Sequence, residues 1–168
     1  MSKKTLTVLL VVGTIIVLDQ TTKVLIAHML ELHESVPVVS PFFHLTHERN
    51  TGAAFSLLAQ APGWFRQPFF LGATLIAVVA LLLFLRQVES TNRVVLVAVS
   101  GILGGALGNF IDRLRYGEVI DFLLFHWREY YWPAFNVADS CITLGVIGLL
   151  WSSFKERQVA TERKLSSF

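Results

Sequence analysis

The chain contains 168 residues, of which 54% are hydrophobic and 15% are charged. Soluble domains carry about 25% charged residues, so this composition excludes an ordinary soluble fold. The formal net charge of +2 is not gathered into a basic stripe, and we therefore expect no nucleic-acid partner. The single cysteine, Cys141, excludes an intramolecular disulfide bond and a cysteine-based metal site.

Apolar residues form four blocks, at about residues 6–25, 68–85, 94–111 and 135–154. Each block is close to the roughly 20 residues that a helix needs to cross a hydrocarbon core about 30 Å thick. The first block follows two lysines, as in a secretory signal peptide, but no small-x-small cleavage site comes after it, so we expect a retained span. The sequence predicts an all-α membrane protein, a four-transmembrane-helix bundle forming a single integral membrane domain over residues 1–168.

Basic residues are concentrated at one end of the predicted bundle. They lie in the N-terminal tail, the short connection between the second and third spans, and the C-terminal tail: Lys3, Lys4, Arg86, Arg93, Lys155, Arg157, Arg163 and Lys164. The positive-inside rule assigns these parts to the cytoplasm, with both termini cytoplasmic. The longer segments at about 31–67 and 115–132 then face outward.

Both outward segments have a recognisable pattern. In the first, short apolar runs beginning at Val36, Phe43 and Ala53 are interrupted by a turn at 50–52, which predicts a small β-hairpin or half-sheet. The second is crowded with aromatic side chains between Phe122 and Trp132. We expect it to be an interfacial segment, placed to act as a lid.

The third apolar block carries glycines at helical spacing: Gly101, Gly104, Gly105 and Gly108. Small residues spaced in this way let two membrane helices approach closely. A phosphate-binding loop is disfavoured, because no strand precedes the glycines.

Polar residues stand at the outer ends of three predicted spans, and within each span they are three or four positions apart, so that they share a helix face. They are Asp19 with Lys23, Asn109 with Asp112, and Asn136 with Asp139. Because an unpaired charge at this depth costs about 2.5 kcal/mol or more, the faces should turn inward onto one pocket. An alternative role is structural, with Asp19 pairing with Lys23, and Asp112 pairing with Arg113 or a neighbour, to tie helices together.

Asp121 and Asp139 have no basic neighbour in the sequence. Two unpaired carboxylates at one depth suit peptide hydrolysis, in which one ionised carboxylate takes a proton from water and a protonated one polarises the scissile carbonyl. A proton or ion pathway uses the same kind of residue, and plain structural polarity is a third reading. The spacing alone leaves these alternatives open.

Other catalytic patterns are weaker. His44, His47 and Glu48 lack the helix-face spacing of a zinc-binding His-Glu-x-x-His motif and lie in a predicted strand. No serine has a suitably placed histidine or lysine. We therefore expect neither a metal nor a cofactor.

The polar blocks occur in an order that resembles the lipoprotein signal peptidases, or signal peptidase II, of bacterial inner membranes. The similar segments are Asp19-Gln-Thr-Thr-Lys23, Asn50-Thr-Gly-Ala-Ala-Phe55, Gly104-Gly-Ala-Leu-Gly-Asn109-Phe-Ile-Asp112-Arg113, Gly117-Glu-Val-Ile-Asp121-Phe122 and Phe135-Asn136-Val-Ala-Asp139. Together they extend from about residue 19 to residue 139. Five blocks in sequence, combined with four predicted spans, make the resemblance highly specific.

The resemblance implies an aspartic endopeptidase that removes signal peptides from prolipoproteins, cutting just before a cysteine that carries diacylglycerol. It implies that Asp121 and Asp139 are catalytic. It further assigns the substrate pocket to Asn50, Gly52, Asn109, Arg113 and Asn136, with support from Asp19, Lys23 and Asp112. The expected setting is the bacterial inner membrane, with the active site near the periplasmic leaflet, membrane lipids as neighbours and a monomer as the working oligomeric state.

Overall fold

The computed structural model describes residues 1–52, 58 and 61–165, with residues 159–161 and 163–165 described by their backbone alone. The described helices are α1 (Lys3–Met29), α2 (Gly63–Gln87), α3 (Arg93–Tyr116) and α4 (Val137–Leu165). Each of the four is long and apolar enough to cross a membrane. The predicted four-transmembrane-helix architecture is confirmed. The predicted strand at 53–57 and the side chains of Arg163 and Lys164 lie outside the described residues.

The helices extend beyond the apolar blocks because polar residues cap them. The Ser2 side chain accepts a hydrogen bond from Thr5 N at the start of α1, and Asn92 accepts one from Val95 N at the start of α3. Such caps satisfy amide groups that have no partner inside the helix. At the other end of α3, Gly117 has a φ of 76°, a left-handed conformation that glycine adopts without strain and that terminates the helix.

Helix α3 is the centre of the bundle. In the most apolar stretch of α3, 56% of the residues are buried within the protein. In the corresponding stretches of the other helices, at most 22% of the residues are buried, and the apolar side chains face outward. Close packing depends on the predicted glycines, since a Cβ atom at Gly105 would collide with the carbonyl oxygen of Ala138 in α4. The prediction of close helix contacts is confirmed. A similar close contact occurs at Gly145 of α4, where a Cβ atom would lie 2.6 Å from the carbonyl oxygen of Ala98.

The two ends of the bundle differ. At one end the Lys4 ammonium donates to the carbonyl oxygens of Arg86 and Val88, and Asn92 donates to Glu156. These contacts bring the N-terminus, the α2–α3 connection and the distal part of α4 together. We call this the tail end, and the opposite end, which carries the β-sheet, the sheet end.

Four described strands form one antiparallel sheet in the order β1 (Ser35–Val39), β2 (Phe43–Asn50), β3 (Val119–Trp127) and β4 (Tyr130–Tyr131). Strands β1 and β2 are the first two of the three predicted apolar runs and form an antiparallel hairpin. The turn of this hairpin lies at residues 40–42, not at the predicted 50–52. The aromatic segment that we expected in the interface is also part of this sheet, because β3 pairs with β2 through Glu48 opposite Asp121. The aromatic side chains near its tip remain exposed, and a lid motion of this segment stays a prediction.

Candidate active site

All ten residues predicted for the site lie at the sheet end, and most are buried. Asp19, Lys23, Asp112 and Asn136 are at most 1% exposed. Helices α1, α3 and α4 and strand β3 each contribute side chains to the same polar cluster. The predicted inward turn of the polar helix faces is confirmed by this burial.

Lys23 lies at the centre of the buried charges. Its Nζ atom is 2.8 Å from Asp19 Oδ2, 2.9 Å from Asp112 Oδ2 and 2.9 Å from Asn109 Oδ1. The predicted Asp19–Lys23 pair is therefore present. Asp112 pairs with Lys23 from another helix and not with the adjacent Arg113, because successive residues of a helix point in different directions.

Each of the two buried carboxylates also binds a backbone amide. Asp19 Oδ1 accepts a hydrogen bond from Ala138 N at 2.9 Å, and Asp112 Oδ2 accepts one from Ile120 N at 3.2 Å. Ala138 precedes Asp139, and Ile120 precedes Asp121. The ion-paired cluster thus anchors the chain at the residues immediately before both predicted catalytic aspartates.

Asp121 is held by two asparagines. Asn50 Nδ2 donates to Asp121 Oδ2 at 3.0 Å, and Asn136 Nδ2 donates to Asp121 Oδ1 at 2.7 Å. Asp121 is only 3% exposed, and its backbone pairs with Glu48 of β2.

Asp139 is held by the start of α4 and by α3. Asn136 caps α4, since its Oδ1 accepts from Asp139 N at 2.9 Å, while Asp139 Oδ2 accepts from Asn136 N at 3.3 Å. This reciprocal arrangement is a capping box, which fixes the carboxylate relative to the helix end. Asn109 Nδ2 donates to the other oxygen, Oδ1, at 2.8 Å.

The electrostatic environment of Asp121 favours its protonated form. Burial and, after it, the negative charge of Asp139 raise the pKa of Asp121 to about 7. The hydrogen bonds from Asn50 and Asn136 and the charge of Lys23 act in the opposite direction but are weaker. A carboxyl group with this pKa is protonated in a substantial fraction of the molecules at neutral pH, as acid catalysis requires.

The loop after β2 is tied to α3. Asn50 Oδ1 accepts a hydrogen bond from Gly52 N at 3.0 Å, and the carbonyl oxygen of Gly52 accepts one from the Arg113 guanidinium at 3.0 Å. The same guanidinium lies 5.0 Å from the ring centroid of Phe70, a favourable cation–π distance. Asn50, Gly52 and Arg113 therefore form one connected wall.

A cavity of about 920 Å³ contains both aspartates. Its lining includes Asn50, Asn109 and Arg113 from the predicted set, and Ile142 and Leu144 on its apolar side. A volume of this size accommodates a peptide segment with a large substituent. Asn136 lies beneath Asp121 and Asp139 and orients them.

Several participating residues were not among the predicted ones. Gln20 Nε2 donates to Asp112 Oδ1 at 2.8 Å and to Asp19 Oδ2 at 3.2 Å. Glu48 and Trp132 line the cavity. Two signals in the sequence could have indicated the role of Gln20: its position beside Asp19 in a polar helix end, and its place within the segment Asp19-Gln-Thr-Thr-Lys23.

The three residues considered as a weak metal trio point to separate partners. His44 Nε2 is 3.2 Å from His126 Nε2, His47 Nδ1 is 3.0 Å from the carbonyl oxygen of Leu30, and Glu48 Oε2 is 3.0 Å from His33 Nδ1. These contacts belong to the sheet and the loop before it.

Comparison with known proteins agrees with this geometry. The family model described as "Signal peptidase (SPase) II" matches residues 11–155. Lipoprotein signal peptidases from Syntrophotalea carbinolica and Geobacter metallireducens are 51% and 47% identical, covering 89% and 82% of this chain and 92% and 83% of their own lengths. A solved bacterial membrane enzyme structure, 36% identical, superimposes with a TM-score of 0.82 over 90% of this chain and 89% of that chain.

Proposed function

Since the chain belongs to the signal peptidase II family, we infer that it is a multi-pass membrane peptidase that removes signal peptides from prolipoproteins, and we propose Asp121 and Asp139 as its catalytic pair. One observation carries this proposal: the two carboxyl groups line the same cavity and both accept hydrogen bonds from Asn136, Asp121 from its side-chain amide and Asp139 from its backbone N–H. The remaining aspartates, Asp19 and Asp112, are engaged by Lys23.

The pair is suited to hydrolysis by a directed water molecule. Two neighbouring buried carboxyl groups retain one proton between them near neutral pH, because ionising both is costly. The ionised carboxylate takes a proton from a water molecule while the water oxygen attacks the scissile carbonyl carbon. The protonated carboxyl group gives its proton to the carbonyl oxygen. Collapse of the tetrahedral diol then breaks the C–N bond, and the amide nitrogen leaves with a proton from the pair.

The pocket around the pair provides for peptide and lipid. We assign substrate binding to Asn50, Gly52 and Arg113, with Asn109 and Asn136 completing the pocket. Arg113 is a fixed donor at the cavity wall, where peptide carbonyl groups would pass. The apolar side formed by Ile142 and Leu144 suits a diacylglyceryl chain, which supports cleavage just before a lipid-bearing cysteine.

The orientation follows from the charge distribution. Basic side chains such as Lys4 and Arg86 lie at the tail end, and the active site lies at the sheet end. With the positive-inside rule, this supports a topology in which both termini are cytoplasmic and the pair lies near the periplasmic leaflet of a bacterial inner membrane. A single chain holds the whole cluster, so a monomer among membrane lipids is sufficient. A C-terminal green fluorescent protein fusion should fluoresce, and an alkaline phosphatase fusion at the same place should be inactive.

The activity is tested with a diacylglyceryl prolipoprotein peptide and purified protein in detergent or nanodiscs. Asp121→Asn and Asp139→Asn should each abolish cleavage, because a single carboxyl group cannot supply both acid and base. Glu129→Gln is the matched control, since it removes an exposed carboxylate from the β3–β4 turn and should cleave normally. Full activity in either aspartate variant would remove that residue from the pair, and equal cleavage of a peptide without lipid would contradict the substrate assignment.

A further inference from the structure

The Lys23 ammonium group uses all of its hydrogen-bonding capacity within the buried network. A lysine has three N–H donors and no acceptor. They meet Asp19 Oδ2, Asp112 Oδ2 and Asn109 Oδ1, each at 2.8 or 2.9 Å. The oxygen of the Asn109 amide must therefore face Lys23. An amide nitrogen in that place would set its own N–H donors against the N–H donors of the lysine.

The orientation of Asn109 decides what Asp139 receives. With its oxygen directed to Lys23, the amide directs its nitrogen to Asp139 Oδ1, 2.8 Å away. A flipped amide would present an oxygen to the carboxylate and would lose this hydrogen bond. The Asn109 oxygen also accepts a hydrogen bond from Asn136 Nδ2 at 3.2 Å, and Lys23 at 2.9 Å is the nearer donor. The donor-only character of Lys23 is thus transmitted through Asn109 to one oxygen of Asp139.

We propose that Lys23 is a positioning residue for the catalytic pair, acting by fixing the Asn109 amide in the orientation that donates to Asp139. The proposal rests on the catalytic role assigned to Asp139 above. Neither Asp19 nor Asp112 can replace Lys23 in this role, since a carboxylate would draw the nitrogen of the amide and not its oxygen.

The charged neighbours of the pair come from every element packed around it. Asp19 and Lys23 belong to α1, Asp112 and Arg113 belong to α3, and Glu48 and Arg49 belong to β2. Removing Lys23 alone would leave two buried carboxylates without a counter-ion, which is strongly destabilising. The informative variant therefore keeps the net charge of the cluster unchanged.

The double variant Lys23→Met/Asp19→Asn meets this condition. It removes one positive and one negative charge, and the introduced amide oxygen at position 19 can still accept from Ala138 N. The expected result is a folded protein with a KM close to that of wild type and a kcat lowered about 10- to 100-fold, because Asp139 loses a hydrogen bond to a charged group. A role limited to charge compensation predicts normal kcat at the pH optimum, and that result would overturn the proposal.

A second variant tests the same contact from the other side and leaves Lys23, Asp19 and Asp112 unchanged. Asn109→Asp preserves an acceptor for Lys23 but replaces the donor to Asp139 by a carboxyl oxygen, which repels Asp139 in addition to removing the hydrogen bond. We expect a comparable fall in kcat. The triple variant, which combines Lys23→Met, Asp19→Asn and Asn109→Asp, should be no slower than Asn109→Asp alone, because the effects of residues that act through one contact do not add. Wild-type kcat in Asn109→Asp, or multiplied losses in the triple variant, would contradict the proposal even if the double variant failed to fold.

The two proposals fail in different ways. If Asp139→Asn cleaves normally, the catalytic assignment is wrong. If Asp139→Asn is inactive while Lys23→Met/Asp19→Asn has normal kcat, the catalytic assignment stands and only the positioning role of Lys23 is lost.

Discussion

Replacing Asn136 by alanine should affect stability and catalysis together. Asn136 is fully buried, caps α4 through Asp139 N at 2.9 Å and donates to Asp121 Oδ1 at 2.7 Å. Loss of an N-cap costs about 1 kcal/mol, and loss of a hydrogen bond to a charged group costs about 1.5–3 kcal/mol. The free energy of unfolding should therefore fall by about 2.5–4 kcal/mol.

The catalytic effect follows from the second of these interactions. If the hydrogen bond to Asp121 is needed in the transition state, its loss lowers kcat about 10- to 100-fold, since about 1.4 kcal/mol corresponds to a tenfold change in rate. Peptide cleavage measures kcat, and thermal unfolding measures stability at about 2–4 °C per kcal/mol for a chain of this size.

Asn92 provides a matched control at the tail end. It caps α3 by accepting from Val95 N at 3.3 Å and lies far from the site. Asn92→Ala should lose about 1 kcal/mol of stability and cleave at the wild-type rate. If Asn136→Ala lost no more stability than this control, or cleaved as fast, the bridging role of Asn136 would be refuted.

Two other predictions concern pH and packing. The wild-type kcat should fall as pH rises through about 7, because Asp121 then loses its proton. Asn50→Ala should move this fall to higher pH, since the hydrogen bond from Asn50 lowers the pKa of Asp121. An unchanged pH profile in this variant would contradict the assignment of Asp121. Gly105→Ala should destabilise the protein by about 1–3 kcal/mol by forcing α3 from α4, whereas Gly72→Ala, with no atom within 4 Å of the added carbon, should not. Equal melting temperatures for the two glycine variants would show that the close contact is dispensable.

Much of the membrane architecture could be read from the sequence because it depends on local properties. A block of about 20 apolar residues needs no distant partner to become a spanning helix, since its own backbone hydrogen bonds suffice in lipid. The shared faces of Asp19 with Lys23 and of Asn109 with Asp112 follow in the same way from helical periodicity. The spacing of the glycines in α3 likewise predicted a close contact with another helix.

The second outward segment shows where local patterns were insufficient. Its aromatic residues predicted an interfacial position, and they are indeed exposed near the tip. Its pairing as β3 beside β2 depends on hydrogen bonds to residues about 70 positions earlier, such as Glu48 opposite Asp121. Composition carries no information about which strands pair.

By itself, the sequence determined four membrane spans and placed the polar residues at one depth, because hydropathy and helical spacing are properties of short segments. Only the tertiary structure decided that Lys23 pairs with Asp112 across helices, that Gln20 joins them, and that Asn109 and Asn136 aim their amides at the two aspartates. The physical reason is that hydrogen bonds act over about 3 Å and in defined directions. The partners of a buried polar group are therefore fixed by how the helices pack.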